Sequence, residues 1–175
     1  LVGVDVFETT CHRIKQLDAS CYLAERDLAR AWKERRLANN LPLMIAKKAI
    51  ELTPEILEKL KASTLRRRTG LFDTHPSDHA RIANVRKRPT EPVCVDATPA
   101  VNAFTNFKMI AHAVTVTHYR SVFGLTIGSE NLTETDELIA DAQRTRNEEG
   151  VAVEYFSPSI SNATVFYPCL DRVPA

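Results

Sequence analysis

Glycine is scarce in this chain, five in 175 residues. That leaves no Gly-rich loop to cradle a phosphate and no G-x-S-x-G elbow for a nucleophilic serine. Cysteine is sparse as well. The four stand at 11, 21, 94 and 169, without a C-x-x-C pair. Zinc-ribbon spacing is thereby excluded, and the pattern reads as reduced, mostly buried thiols of an intracellular protein. Neither sign of charge dominates. The formal net charge is +1, whereas a dedicated nucleic-acid binder carries a clear basic excess. The basic triplets Arg66-Arg67-Arg68 and Arg86-Lys87-Arg88 lack interleaved aromatics. They read as cations at the negative ends of helices. No apolar run approaches the roughly 20 residues of a membrane span, and no signal peptide is visible.

What is there is ordinary globular material, with 44% hydrophobic and 26% charged residues. The chain is long enough to bury a real core. The pattern predicts an all-α fold, an irregular bundle of about five or six helices with an irregular C-terminal tail. Residues 5 to about 37 read as one long helix. Phe7, Ile14, Cys21 and Leu28, interleaved with Thr10, Leu17, Ala24 and Ala31, form its apolar stripe. Asn39-Asn40 breaks it. Pro42 starts a second helix through about Leu52, with Met44, Ile45, Ala49 and Leu52 inward. Thr53-Pro54-Glu55 starts a third, carrying Ile56, Leu57, Leu60 and Leu65 inward. Lys47, Lys48, Lys59 and Lys61 are expected to point outward. Gly70 is expected to close that helix. Thr98-Pro99-Ala100 opens a helix to about Phe123, with a break near Thr105-Asn106 as an alternative and Gly124 as its stop. Thr133 or Thr135 caps a last helix, with Leu138, Ile139 and Ala142 inward. Gly150 is expected to interrupt it, leaving residues 151–156 as helix or strand. A helical segment over residues 1–88 and a helical C-terminal extension over 89–175 are expected to pack as one unit.

The stretch with the densest chemistry is Thr69 to Ile82, T-G-L-F-D-T-H-P-S-D-H-A-R-I. Either His75 lies in the first turn of a new helix or Ser77 is its N-cap. Ile82 then falls on an apolar face with Ala83 and Val85. His75 and Arg81 are candidate donors to a developing oxyanion, since a ring N–H and a permanently charged guanidinium both suit that task. The bland alternative is a histidine satisfied at a helix start and an arginine paired with Asp78. His75 and His79 stand four apart, but Pro76 spoils a shared helical face for a metal. Cys11-His12 with Cys21, and His112 with His118, have spacings that build no ligand cluster.

The segment L-F-D-T-H-P-S-D-H-A-R-I resembles the T-H-P-x-x-x-x-R-I segment of HtpX-like, CAAX-prenyl-protease-type zinc metallopeptidases. Leu1-Val2-Gly3, Trp32-Lys33-Glu34-Arg35-Arg36-Leu37 and Asn40-Leu41-Pro42 resemble one bacterial branch of that family. The likeness covers residues 1 to about 88, with the remainder similar to that branch's C-terminal extension. In the family the order is H-E-x-x-H, then a glutamate ligand in E-x-x-x-D, then T-H-P. This chain contains no H-E-x-x-H, and no E-x-x-x-D helix stands ahead of its T-H-P segment.

The resemblance therefore implies the non-catalytic, post-zinc part of a metalloendopeptidase. His75 and Arg81 would flank a zinc site encoded upstream, with no zinc bound to this chain itself. The implied partners are that upstream part and an unfolded or peptide substrate. The implied location is an intracellular face, with a parent that is membrane-anchored and a fragment that is soluble. Opening on Leu rather than Met fits this expectation. An apolar edge around Val2, Val4, Val6 and Phe7 would favour self-association. The rival is a helical interaction or assembly module, in which His75 and Arg81 are structural.

Overall fold

A computed structural model describes residues 2–66, 68–70, 74–93 and 96–156, with side chains as far as 149. Among them are six helices and one pair of two-residue strands. The fold is all-α, as the pattern predicts. The helices are α1 (Val4–Ala31), α2 (Leu41–Ile50), α3 (Pro54–Arg66), α4 (Asp78–Arg86), α5 (Phe107–Ser121) and α6 (Thr135–Phe156). Strands β1 (Leu37–Ala38) and β2 (Leu132–Thr133) pair in parallel, Leu37 opposite Leu132 and Ala38 opposite Thr133. The described residues divide into two compact units at 138/139, so the first unit runs across the expected division at residue 88. The second is described from Ile139 as the continuing helix, with an Arg144–Asp141 pair at 3.4 Å.

Helix α1 stops at Ala31, earlier than its apolar pattern implies. A 3-10 turn follows over Trp32–Glu34, and Arg35 takes a left-handed φ of 58°. The guanidinium of Arg35 lies 4.8 Å from the centre of the Trp32 ring. The buried line of α1 also differs from the expected stripe. It runs through Cys11, Ser20, Ala24, Asp27 and Leu28, while Ile14 and Leu17 are 51% and 42% exposed. A seven-residue repeat drifts around a straight 3.6-residue helix, so its early members leave the contact face.

Helix α2 begins where Asn40 caps it, its side chain accepting from the Leu43 N–H at 3.0 Å. Leu41 and Met44 are buried, and so is Lys48, against the expectation that Lys48 points outward. The Lys48 ammonium lies 2.8 Å from Asp27 Oδ2 and 3.1 Å from Glu51 Oε2, with Lys48 and Asp27 only 1% and 2% exposed. A buried cation requires a partner, and Asp27 supplies it from α1.

In α3 the fully buried residue is Thr64, while Ile56 and Leu65 are exposed. The helix ends at Arg66, so Gly70 stands beyond its end. Residues 71–73 and 94–95, and the expected tail from 157, lie outside the described residues.

The segment from 98 to 106 is not α-helix. A 3-10 turn spans Ala100–Ala103, and Asn106 caps α5 by accepting from the Met109 N–H at 3.2 Å. Gly124, with φ 64°, follows the end of α5 as expected. Helix α6 continues through Gly150 to Phe156, which settles residues 151–156 as helix. Leu138 and Ile139 are buried.

The later helices dock on the 35–41 connector through hydrogen bonds. Tyr119 Oη donates to Ala38 O at 3.0 Å, and Thr115 Oγ1 accepts from the Leu41 N–H at 2.8 Å. Asn39 Oδ1 accepts from Thr135 Oγ1 at 2.9 Å, and the Asn39 N–H donates to Thr133 O at 2.9 Å. Tyr119, Thr115 and Thr135 are all buried. Burial alone raises the proton affinity of the Tyr119 phenol, which keeps it a donor.

Two stability measurements follow from these contacts. Lys48→Met leaves the Asp27 carboxylate buried without its cation and should cost about 3–5 kcal/mol in urea unfolding. The double variant Asp27→Leu, Lys48→Met should recover much of that loss. Thr115→Val keeps the volume but strands the Leu41 N–H, and should cost about 1–3 kcal/mol in the same assay.

Candidate functional site

The T-H-P stretch is organised by Thr69 and Ser77. Thr69 Oγ1 accepts from the Ser77 N–H at 2.8 Å and so ties the start of the stretch to the head of α4. Ser77 caps α4, its Oγ accepting from the Ala80 N–H at 3.2 Å. Of the two starts the sequence allows, Ser77 as N-cap is the one adopted. Asp78 then sits at the positive end of the helix, where a carboxylate is favoured. Ile82 is buried, and Ala83 and Val85 are half-buried beside it.

His75 is exposed, ahead of α4. Arg81 is on the second turn. Its guanidinium lies 5.2 Å from the centre of the Phe7 ring and donates to Asp78 Oδ1 at 3.2 Å. The pairing with Asp78 that the spacing alone suggests is therefore present. It coexists with a cation–π contact that the sequence did not announce. Among the described residues no hydrogen bond or ion pair joins His75 to Arg81.

Around Arg81 the interface of α1 and α4 is polar. Arg86 Nη2 donates to Glu8 Oε1 and Oε2, each at 2.6 Å, and Arg86 Nε donates to Oε2 at 3.1 Å. These bonds hold the Glu8 carboxyl below its ordinary value, against the opposing effect of burial. Asp78 Oδ2 is 4.0 Å from the Lys15 ammonium. His12 Nε2 is 3.6 Å from Glu8 Oε1, too long for a hydrogen bond, and both ring nitrogens are buried without one. Cys11 is buried alongside, and that burial pushes its thiol up. Gly3, with φ 76°, turns the chain into α1 beside Pro92, where an added Cβ would stand 3.4 Å from the proline ring. A groove of about 480 Å³ lies here, lined by residues 2–6, Arg86 and residues 89–92.

The other candidate residues are dispersed. His79 is exposed on the first turn of α4, and His75 precedes that helix, so the two share no helical face. Cys21 is bonded to Glu25 Oε1 at 3.6 Å, away from Cys11 along α1. His112 Nδ1 contacts Asn39 O at 3.0 Å, and His118 meets Phe123 edge-on at 4.8 Å. His112 thus joins the docking of α5 on the connector, whereas His118 packs on a residue just past the end of its own helix. No three His, Cys, Asp or Glu side chains among the described residues stand together as a metal site. No helix among the described residues is long and apolar enough to cross a membrane.

Sequence reasoning missed Glu8 and the role of Phe7. Glu8 faces His12 at helical spacing, but Arg86 lies 78 positions away, and no local signal links them. Compared with known protein families, with characterised proteins and with solved structures, the chain matches none.

The lowered Glu8 value makes the clamp pH-dependent. Its contribution is present above the ordinary carboxylate value of 4.5 and is lost as the pH falls through the lowered folded value. The gap in urea midpoint between wild type and Glu8→Gln should therefore be widest near about pH 6 and close progressively below 4.5.

Proposed function

We propose that this chain is the part of an HtpX-like zinc metalloendopeptidase that follows its zinc ligands. His75 and Arg81 then lend support to a site whose metal is held upstream. The observation that carries the reading is the seat of Arg81 on Phe7, in the first turns of α1. In a peptidase with this order of motifs, α1 runs on directly from the helix bearing the glutamate ligand. A group on α4 that faces the start of α1 is then on the zinc side of the molecule. Zinc bound upstream would supply the activated water and a glutamate the general base. Arg81 would supply a fixed positive charge near the developing oxyanion, and His75, exposed ahead of α4, a ring donor from a second direction. The chain by itself is expected to cleave nothing, and its partners are the upstream part and an unfolded or peptide substrate.

A second reading, a helical interaction module, draws on the apolar side chains left in solvent. On α5 these are Phe107, Ile110 and Val114; at the start of the chain they are Val2 and Val6. Self-association through such patches is compatible with both readings.

The deciding experiment is proteolysis of an unfolded substrate by the intact peptidase, with zinc content measured alongside. His75→Ala and Arg81→Ala should each lower kcat by about a hundredfold, the size of one transition-state donor, with zinc and folding retained. Full activity in both variants, or an intact protein that binds no zinc, would leave the interaction module as the reading.

A further inference from the structure

Arg81 is the one charged side chain on α4 whose placement relies on an aromatic ring. A guanidinium over a ring face is attracted along the ring normal but is free to slide across it. Its hydrogen bond to Asp78 lies within α4, so it moves with the helix and does not tie Arg81 to α1. Something else must fix α4 against the ring. Lys15 reaches Asp78 only at 4.0 Å, too far for a hydrogen bond. The strong link is the fork of Arg86 on Glu8, in which both carboxylate oxygens are engaged. A planar guanidinium held along one edge by two of its nitrogens, Nε and Nη2, resists rotation as well as separation. Glu8 is also the residue next to Phe7. One turn of α1 therefore carries both the ring that receives Arg81 and the anion that holds the far end of α4. Ile82, buried between these two points, prevents the helix from lifting.

We propose that Glu8 is a positioning residue for Arg81: by gripping Arg86 it sets the register of α4 on α1 and seats the Arg81 guanidinium over Phe7. The inference rests on the reading of Arg81 as a transition-state donor. It adds the residues that aim that donor, none of which belongs to the T-H-P segment.

The test reads position and rate separately. In this chain, the Arg81 side-chain methylene protons should be shifted upfield by the Phe7 ring, and Phe7→Leu should abolish that shift. Glu8→Gln and Arg86→Gln should each reduce it, with circular dichroism unchanged. In the intact peptidase the same two variants should lower kcat by about tenfold or more, with KM and zinc content unchanged, the scale expected of a displaced catalytic group. The double variant should lose no more than either single, because both act through one contact. Arg86→Lys keeps the charge without the fork, and should fall between; it also makes the measurement if Glu8→Gln does not fold. A full upfield shift in Glu8→Gln would overturn the proposal, and so would an unchanged kcat in that variant when Arg81→Ala is impaired. If Arg81→Ala itself keeps full activity, the reading of Arg81 as a donor fails, and the positioning role goes with it.

Discussion

The pairing of Lys48 with Asp27 constrains the first half of the molecule more tightly than any apolar contact does. Both side chains are withdrawn from water, and each would be costly without the other. Apolar side chains tolerate sliding, because their attraction depends on area and not on direction. A buried ion pair tolerates almost none. It therefore sets the rotation and the register of α2 on α1, and Glu51 reinforces it from the end of α2. Ala24 and Leu28 on α1 and Leu41 and Met44 on α2 are buried as well, and add apolar area to an alignment that charge has fixed.

From that base the rest of the first unit is assembled by hydrogen bonds to a short connector. Residues 37–41 carry backbone groups that find their partners outside α1 and α2. Thr115 and Tyr119 on α5, Thr133 on β2 and Thr135 at the head of α6 satisfy them. The parallel pairing of β1 with β2 belongs to the same arrangement. It is too short to be a sheet in any energetic sense, but it brings positions 95 residues apart into register. Helix α5 pays for this docking with its other face, where Phe107, Ile110 and Val114 remain in solvent.

At the opposite end of α1 the logic is electrostatic again, though shallower. Glu8 with Arg86, Asp78 with Arg81 and Lys15, and Phe7 under Arg81 form a partly exposed network. Exposed ion pairs contribute about 1 kcal/mol or less each. Their value here lies in direction, since a forked contact orients a helix even where it adds little stability. The same network gives the T-H-P segment a fixed relation to the start of α1. The proposed peptidase role depends on that relation.

Much of the helix content was legible from local signals. Thr53-Pro54 and Ser77 start helices in the way their side-chain oxygens allow, and Gly124 follows the end of α5 with a positive φ. These are short-range events, decided by a few neighbouring residues. The head of α4 was legible for the same reason, as a Ser77 cap and a buried Ile82 at close offsets. Lys48 was not legible. On its own helix it is one more lysine beside Lys47, and only the distant Asp27 makes its burial affordable. Nor could the seven-residue stripe of α1 show which face would be covered, because α2, α3 and α4 choose that face together. Gly150 misled because a single glycine weakens a helix by only about 1 kcal/mol, less than the continuing turns supply. The sequence by itself determined where most helices begin, through caps, prolines and periodicity. The tertiary structure alone decided which charges are buried, which apolar faces stay open, and that Glu8 and Arg86 would meet beside Arg81. Glu8 and Arg86 stand 78 positions apart and Tyr119 and Ala38 stand 81 apart, and no local rule reaches that far.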